Sequence, residues 1–401
     1  MVIEIRAARP EEMEEFRHVI STALVMSRDT FGTEEELAHS AGWTTCAFED
    51  GNLATAYRSW PWKIRFNGEA IPLAAINSVG TLPVYRRRGY LRKVTRAHFE
   101  RLHERGEQPV AALWASRAAI YQRYGYAVVT TNITYNLDPQ YLEFTHPKPV
   151  TGSFREIGDD EFSLLVNLYR QFRADKTAYI HRSRDHWNHE LLNPPSPGGF
   201  LCKVAYVEDG EPLGYCLYTV DPSSELGSGQ RLIIRDLIWL KFSAYQAIWE
   251  YFSNMDLVSN ITWTRVPVDD PLPHLMLEPR RINITARDGL LGRIVDVEQA
   301  LPKRHYDEEG TLTFEVIDDF CPWNEGRWKL ETSTNESSIN RATEDPQLVI
   351  PVSTLALLFF GQLSASEAAR MERLEVLDEG ALPLWDRVMK TRHRPCCADY
   401  F

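Results

Sequence analysis

Hydrophobic and polar positions along the chain alternate in a way that predicts three successive units. Val2 to Arg6 reads as a strand, and Arg9-Pro10-Glu11-Glu12 opens a helix in which Met13, Phe16, Val19 and Ile20 recur at helical spacing. Cys46 to Tyr57 forms two β-rich runs around an Asp50-Gly51 turn, the mark of a hairpin. The pattern returns at Tyr206 to Tyr218 with Asp209-Gly210 at its centre, which predicts two copies of one domain. After its hairpin the first copy continues as a strand from Ile71 to Leu82, the loop Val84-Tyr85-Arg86-Arg87-Arg88-Gly89-Tyr90-Leu91, and a helix through Arg105. The second copy has a strand from Leu232 to Leu240 and a helix carrying Ala247, Ile248 and Tyr251, but Lys241-Phe242-Ser243-Ala244 stands where the arginine-glycine loop belongs. Only the first copy is therefore expected to hold a phosphate. His146-Pro147-Lys148-Pro149-Val150-Thr151-Gly152 reads as the linker, because its prolines and glycine discourage continuation of either element. A third unit begins near Leu290, where strands Thr311 to Val316 and Arg327 to Glu331 flank the turn Cys321-Pro322-Trp323-Asn324-Glu325-Gly326, and two helices separated by Gly361 follow.

Length and charge sharpen this picture. At 401 residues and 44% hydrophobic content the chain is longer than one core organises, in keeping with two or three domains. A net charge of -12 disfavours nucleic acid and suits a cationic substrate. The six cysteines form no C-x-x-C pair and do not sit near histidines at zinc-ligand spacing, so reduced thiols and no metal are expected. The apolar run from Leu355 to Phe360 falls far short of a membrane span, which with the charged start of the chain leads to an expectation of cytoplasmic location.

The strongest chemical signal runs from Ser78 to Leu102. An apolar strand enters Arg86, Arg87, Arg88 and Gly89 and then a helix, so free amides at a helix N-terminus, a glycine and neighbouring arginines converge on a place suited to a pyrophosphate. A solvated arginine cluster opening an amphipathic helix is the plain alternative. The next element favours the anion site: Pro109 to Ser116 is a buried strand leading into Arg117-Ala118-Ala119-Ile120-Tyr121-Gln122-Arg123-Tyr124-Gly125-Tyr126. Strand, R-x-x-G loop, helix, strand and an Ile-Tyr-x-x-Tyr-Gly-Tyr helix end together resemble the acetyl-CoA half of a GNAT acetyltransferase. With the Cys-Pro-Trp-Asn-Glu-Gly turn and the aromatic chain end, the strings resemble the Eis (enhanced intracellular survival) family.

The resemblance covers the whole chain, strongest over 78–126 and 311–401. It implies an α+β fold of tandem GNAT domains, the second degenerate, plus a C-terminal sterol-carrier-protein-like α/β domain. The implied divisions are 1–145 (catalytic), 150–288 (GNAT-like) and 289–401, whose end reaches the active site. It further implies acetyl-CoA as co-substrate, pantetheine along Val79, Gly80 and Thr81, pyrophosphate on the amides of Arg87, Arg88, Gly89, Tyr90, Leu91 and Arg92, and Ser116 and Arg117 against the cofactor. Leu91 departs from the R/Q-x-x-G-x-G/A loop, and Arg117 stands where relatives often carry Glu. The expected acceptor is a primary amine of an aminoglycoside, a polyamine or a lysine, and the expected assembly a homo-oligomer, a hexamer.

Acetyl transfer to an amine needs a group to take the ammonium proton and a donor for the departing thiolate. Tyr121 is the candidate acid, since a phenol with a reference pKa of about 10 stays protonated where a thiol at roughly 8.5 begins to ionise; Tyr124 and Tyr126 remain alternatives. The resemblance implies the α-carboxylate of Phe401 as the base, raised toward usefulness by partial burial. Trp114 is a candidate wall of the amine pocket and Asp399 a candidate ligand for the cationic amine. Ser78 and Ser116 have no evident histidine partner for a hydrolase triad, and His181, His186 and His189 read as surface or polar-core residues. Trp187, Trp239 and Trp249 are expected to fill cores. A non-enzymatic carrier, with an apolar ligand in the third unit and a coenzyme A-sensing loop, is the alternative of another class.

Overall fold

The computed structural model describes residues 2–31, 38–193, 201–221 and 229–401. Their strands form two seven-stranded sheets and one of five, with helices packed on the faces. The first sheet takes β1 (Ile3–Arg6), β2 (Cys46–Glu49), β3 (Asn52–Phe66), β4 (Glu69–Thr81), β5 (Val110–Leu113) and β6 (Ala127–Val128). The next strand, β7 (Thr131–Leu137), leaves it for the second sheet, joining β8 (Ser153–Glu156), β9 (Leu201–Glu208), β10 (Glu211–Asp221), β11 (Gln230–Trp239), β12 (Val258–Val266) and β13 (Thr285–Asp288). Then β14 (Leu291–Ile294) returns to the first sheet and lies between β5 and β6. The two sheets thus exchange strands across 146–152.

The repeated hairpins have the same turn. Glu49 pairs with Asn52 and Glu208 with Glu211, leaving Asp50-Gly51 (φ 48 and 85) and Asp209-Gly210 (φ 54 and 82) as two-residue loops with both residues left-handed. This is the hairpin turn that an Asp-Gly pair adopts most readily. Each copy continues to a parallel pair, β4 with β5 and β11 with β12. In the first copy α1 (Met13–Leu24) buries Met13, Phe16, Val19 and Ile20 at the predicted spacing, and α2 (Tyr90–Arg105) buries Tyr90, Val94, Phe99 and Leu102. In the second, α3 (Phe242–Ser253) starts within three residues of the end of β11, and Trp239, Tyr245 and Phe172 fill that corner, with Trp239 ring centroids 4.6 and 4.8 Å from the other two.

The third sheet runs β17 (Ser337–Arg341), β16 (Gly326–Thr332), β15 (Gly310–Ile317), β18 (Leu348–Pro351), β19 (Glu375–Val376). The apolar run ending at Phe360 lies in α4 (Val352–Phe360), which is buried almost along its length because it packs on the first sheet; Phe66 meets Phe359 and Phe360 at 4.5 and 4.6 Å. Where two helices about Gly361 were expected, a third follows Ala365–Arg370: α5 (Leu382–Met389), whose proline sits in the first turn, where no intrahelical N–H is required. The Cys321–Gly326 turn is a latch. Asn324 accepts from Val297 N at 2.8 Å and donates to Val295 O at 3.0 Å and Asp318 at 2.9 Å, while Asp318 takes the Arg293 guanidinium of β14 at 2.7 Å, both side chains fully buried. Buried Arg304 donates to the carbonyls of Phe359 (3.1 Å), Met389 (2.6 Å) and Lys390 (2.9 Å), clasping the C-terminal ends of α4 and α5 and so setting the direction in which the chain leaves. No helix among the described residues is long and apolar enough to cross a membrane.

Candidate active site

The site begins where two parallel strands part. β4 pairs with β5 only from Leu73 opposite Val110 to Ile76 opposite Leu113. Beyond that point Ser78 takes φ 50, the β3–β4 register slips between Ala56 and Arg58, and β5 ends, so Val79, Gly80 and Thr81 run along a gap. A bulge of this kind re-aims a strand. Across the gap lies the start of α2. Gly89 caps it at φ 79, no side chain caps the exposed amides, and the first turn carries no acidic residue. Arg87 is also left-handed, at φ 66. Successive amides in such a loop form a concavity for an anion, and the helix dipole adds to it.

The open groove between these elements has a volume of about 670 Å³. Val79, Gly80, Thr81, Arg87, Gly89, Tyr90, Leu91, Arg92, Ser116, Arg117 and Tyr121 all line it. The Arg88 side chain does not: it turns away to bond Glu49 at 2.8 and 2.9 Å and the Val84 carbonyl at 3.0 Å, leaving only its backbone in the loop. Ala23 and Leu24 of α1, Arg86 and Arg123 also line the groove and are not part of the sequence-derived set. Arg86 donates to Thr81 O and Ala23 O, both at 3.1 Å, and so ties the end of α1 to β4. Of these four additions, Arg86 is signalled by its place in the arginine run; Ala23 and Leu24 of α1 carry no signal. Among the described residues five arginines and no carboxylate line the groove of an acidic protein, a donor set that fits a diphosphate.

Tyr121 sits on the short helix Ala118–Gln122 after β5. It is 8% exposed, and burial, with Tyr124 a smaller cause, pushes its phenol up to about 12. It is a hydrogen donor throughout the neutral range. Tyr124 also borders the groove, but Tyr126 is fully buried and does not, which removes it from the candidate donors.

The last residues lie on the other face of the sheet. Tyr121 belongs to the core beneath α2, whereas Trp60, Trp62, Trp114 and Phe401 rim the core shared with the third unit. The Phe401 ring meets Trp62 edge-on at 5.2 Å, Trp114 Nε1 donates to Asp399 O at 2.9 Å, and the Trp114 and Tyr400 rings are 5.7 Å apart. Trp114 thus borders the chain end two residues before Ser116. Asp399 corrects the expectation. Its carboxylate is enclosed and committed to Arg182 Nε at 2.7 Å and His186 Nε2 at 3.0 Å, with Tyr169 OH at 3.2 Å, so no face is left for an amine. Burial alone would raise its pKa; Arg182 and His186 overcome this and hold it well below the usual carboxylate range. His186 is accordingly a polar-core residue, and Trp187 and Trp249 are buried in cores.

Comparison with known proteins agrees with this geometry. Residues 4–129 and 178–294 each match a GNAT acetyltransferase domain, and 297–398 match a sterol carrier protein domain. An N-acetyltransferase of Streptomyces avermitilis, itself uncharacterized, is 31% identical over 79% of this chain and 78% of its own length. The N-acetyltransferase Eis of Mycobacterium tuberculosis is 29% identical over 79% of this chain and 77% of its own. The chain belongs to the Eis-like GNAT N-acetyltransferases. The solved Eis1 of Mycobacterium abscessus superposes over 99% of this chain and 100% of its own with a TM-score of 0.82 at 26% identity, so the tandem GNAT and sterol-carrier-like arrangement extends over the whole molecule. Family membership makes the protein an acetyltransferase enzyme, and the carrier alternative is set aside.

Proposed function

We propose that this Eis-like enzyme transfers the acetyl group of acetyl-CoA to a primary amine by direct attack in a ternary complex. The coenzyme diphosphate rests on the amides from Arg87 to Arg92, and the pantetheine arm runs along Val79, Gly80 and Thr81 as an added strand. The acetyl thioester then lies in the β4–β5 gap. The observation that carries this reading is that Tyr121 borders the groove on one side, while Trp114, just past the end of β5, holds the chain end through Asp399 O at 2.9 Å in the core on the other. An amine entering from the Phe401 side loses one proton to the terminal carboxylate and attacks the carbonyl carbon; as the tetrahedral adduct collapses the C–S bond breaks toward Tyr121, and the second proton of the nitrogen passes to the departing thiolate, leaving the amide and free coenzyme A thiol.

With its phenol near 12 and a thiol near 8.5, full proton transfer from Tyr121 to the thiolate is uphill by about 3.5 units, on the order of 5 kcal/mol. Its contribution is therefore chiefly a hydrogen bond to the developing thiolate. Trp62 and Trp114, packed beside the chain end, are the aromatic rings nearest the expected path of a cationic amine, and the net negative charge draws it in. This favours an aminoglycoside, a polyamine or a lysine side chain as acceptor.

Thiol release from acetyl-CoA with kanamycin, spermidine and a lysine peptide tests the reading. Tyr121→Phe and a one-residue extension beyond Phe401 are each expected to lower kcat about 100-fold while calorimetry shows unchanged coenzyme A binding. Undiminished turnover in both, or no coenzyme A uptake by the native protein, would overturn it.

A further inference from the structure

The end of the chain is poorly held by its own packing. Tyr400 is 54% exposed and Phe401 only half-buried, yet a base for proton transfer has to stay within hydrogen-bond reach of one atom. Two residues earlier the situation reverses. Asp399, Arg182 and Asp236 have side chains 0%, 1% and 5% exposed and form one ion triad: Arg182 grips Asp236 with both terminal nitrogens at 2.6 and 3.2 Å and Asp399 with Nε at 2.7 Å. Tyr215 donates to Asp236 at 2.6 Å, and the Arg182 guanidinium lies 3.7 Å over the Tyr169 ring. Asp236 belongs to β11, in the copy that has no phosphate loop.

We propose that Arg182, clamped on Asp236, is a positioning residue for acetyl transfer, fixing through Asp399 the place of the terminal carboxylate of Phe401. The inference rests on the proposed role of that carboxylate. Two links run from the triad to the chain end. One is covalent: at about 3.5 Å per extended residue, no more than about 7 Å of chain separates Asp399 from Phe401. The other passes through side chains, from Asp399 to His186 at 3.0 Å, from the His186 ring to Trp62 at 5.4 Å, and from Trp62 to Phe401 at 5.2 Å. Trp114, at the mouth of the gap, ties in the same residue through Asp399 O. Stability alone gives no reason for this construction, since apolar side chains of equal volume serve as well as a buried ion triad; fixed geometry does. The degenerate copy thereby gains a role in catalysis without binding the coenzyme.

A double-mutant cycle on Asp399→Asn and removal of Phe401 tests the inference, using acetyl-CoA and the fastest acceptor among kanamycin, spermidine and a lysine peptide. Asp399→Asn is expected to lower kcat about 30-fold, with coenzyme A affinity within about threefold of native, and to add less than about threefold once Phe401 is gone, because both act through one group. A second readout needs no acceptor. With carbonyl-13C phenylalanine, Phe401 gives the only titrating signal of the 17 phenylalanines. In the native chain it is expected to titrate above the roughly 3.5 of a free terminus, and in Asp399→Asn to fall back to it. If Asp399→Asn disrupts folding, Tyr169→Phe removes one neighbour of that carboxylate and is expected to show a smaller loss with the same non-additivity. Additive losses, or an unmoved 13C titration, would overturn the inference and leave the terminal base in place. Removal of Phe401 with kcat intact would instead refute the base, and the inference with it.

Discussion

Asp270 carries a large and unused charge penalty. Its carboxyl lies in the core of the second sheet, 3% exposed, and Oδ1 accepts from Tyr245 OH at 2.7 Å, Leu272 N at 3.1 Å and Tyr135 OH at 3.2 Å. Oδ2 is buried with no partner. Burial outweighs the three bonds and pushes the pKa from 3.8 to about 7. A raised folded-state value means that the native protein holds this proton more tightly than the unfolded chain does, so its contribution is intact below about pH 4 and is lost as the pH rises through 7. A shift of about 3 units corresponds to about 4 kcal/mol, of which about 3 kcal/mol falls between pH 5 and pH 8.5. Asp270→Asn keeps the shape and the Oδ1 acceptor but cannot ionise, at the cost of an unpaired amide donor, about 1 kcal/mol. The variant is expected to be about as stable as native at pH 5 and more stable by about 3 kcal/mol at pH 8.5. Hydrogen exchange of the peptides covering β12 and α3, corrected for the intrinsic rate at each pH, reads this difference locally. A variant-minus-native difference that swings by less than about 1 kcal/mol, or in the opposite direction, refutes the reasoning.

Two further substitutions test how the groove and the units are joined. A Cβ at Gly80 would meet the Ala23 methyl at 2.6 Å, so Gly80→Ala must push α1 off β4; about 1–3 kcal/mol of lost stability and about tenfold weaker coenzyme A binding by calorimetry are expected, and native affinity would refute the close-approach argument. Asp318→Asn leaves the Arg293 guanidinium buried without its counter-ion, and is expected to lower the urea stability of the third unit by about 3–5 kcal/mol. A loss under 1 kcal/mol would mean that the latch carries no load.

What the sequence made legible is local. Asp-Gly pairs fix a two-residue turn wherever strands flank them, so both hairpins could be read without any distant information. The arginine-glycine loop was legible for the same reason: left-handed residues, arginines and a helix start follow one another within a few positions. Non-local features were not. Leu291–Ile294 is a four-residue run buried on both faces, and nothing in it says which of two sheets it completes. Asp399 looked available to an amine because its arginine lies 217 residues away in sequence. The helix Leu382–Met389 was hidden by its own proline, which reads as a break unless the first turn is recognised.

Electrostatics argue for one order of events at the site. Among the described residues the groove concentrates five arginines and no carboxylate, so the rest of this acidic chain is more negative than its net charge of -12 indicates. In the proposed reaction a polyanionic coenzyme is drawn into the groove and a cationic amine to the opposite face, and neither has to cross the other's field. Bound coenzyme neutralises the arginines behind the β4–β5 gap, and the amine then approaches a less positive thioester than it would meet in the free enzyme. The proposed reaction would then be ordered, its two binding steps coupled, with coenzyme first and amine second. The coupling weakens with added salt, because the charges concerned are exposed and a Debye length of about 10 Å at 0.1 M is shorter than the span of the groove. Sequential binding to opposite faces of one gap is what direct attack requires, and an acyl-enzyme would need a nucleophile on the coenzyme side. There Ser116 is exposed beside Arg117 and has no histidine partner among the described residues, which supports the proposed ternary complex.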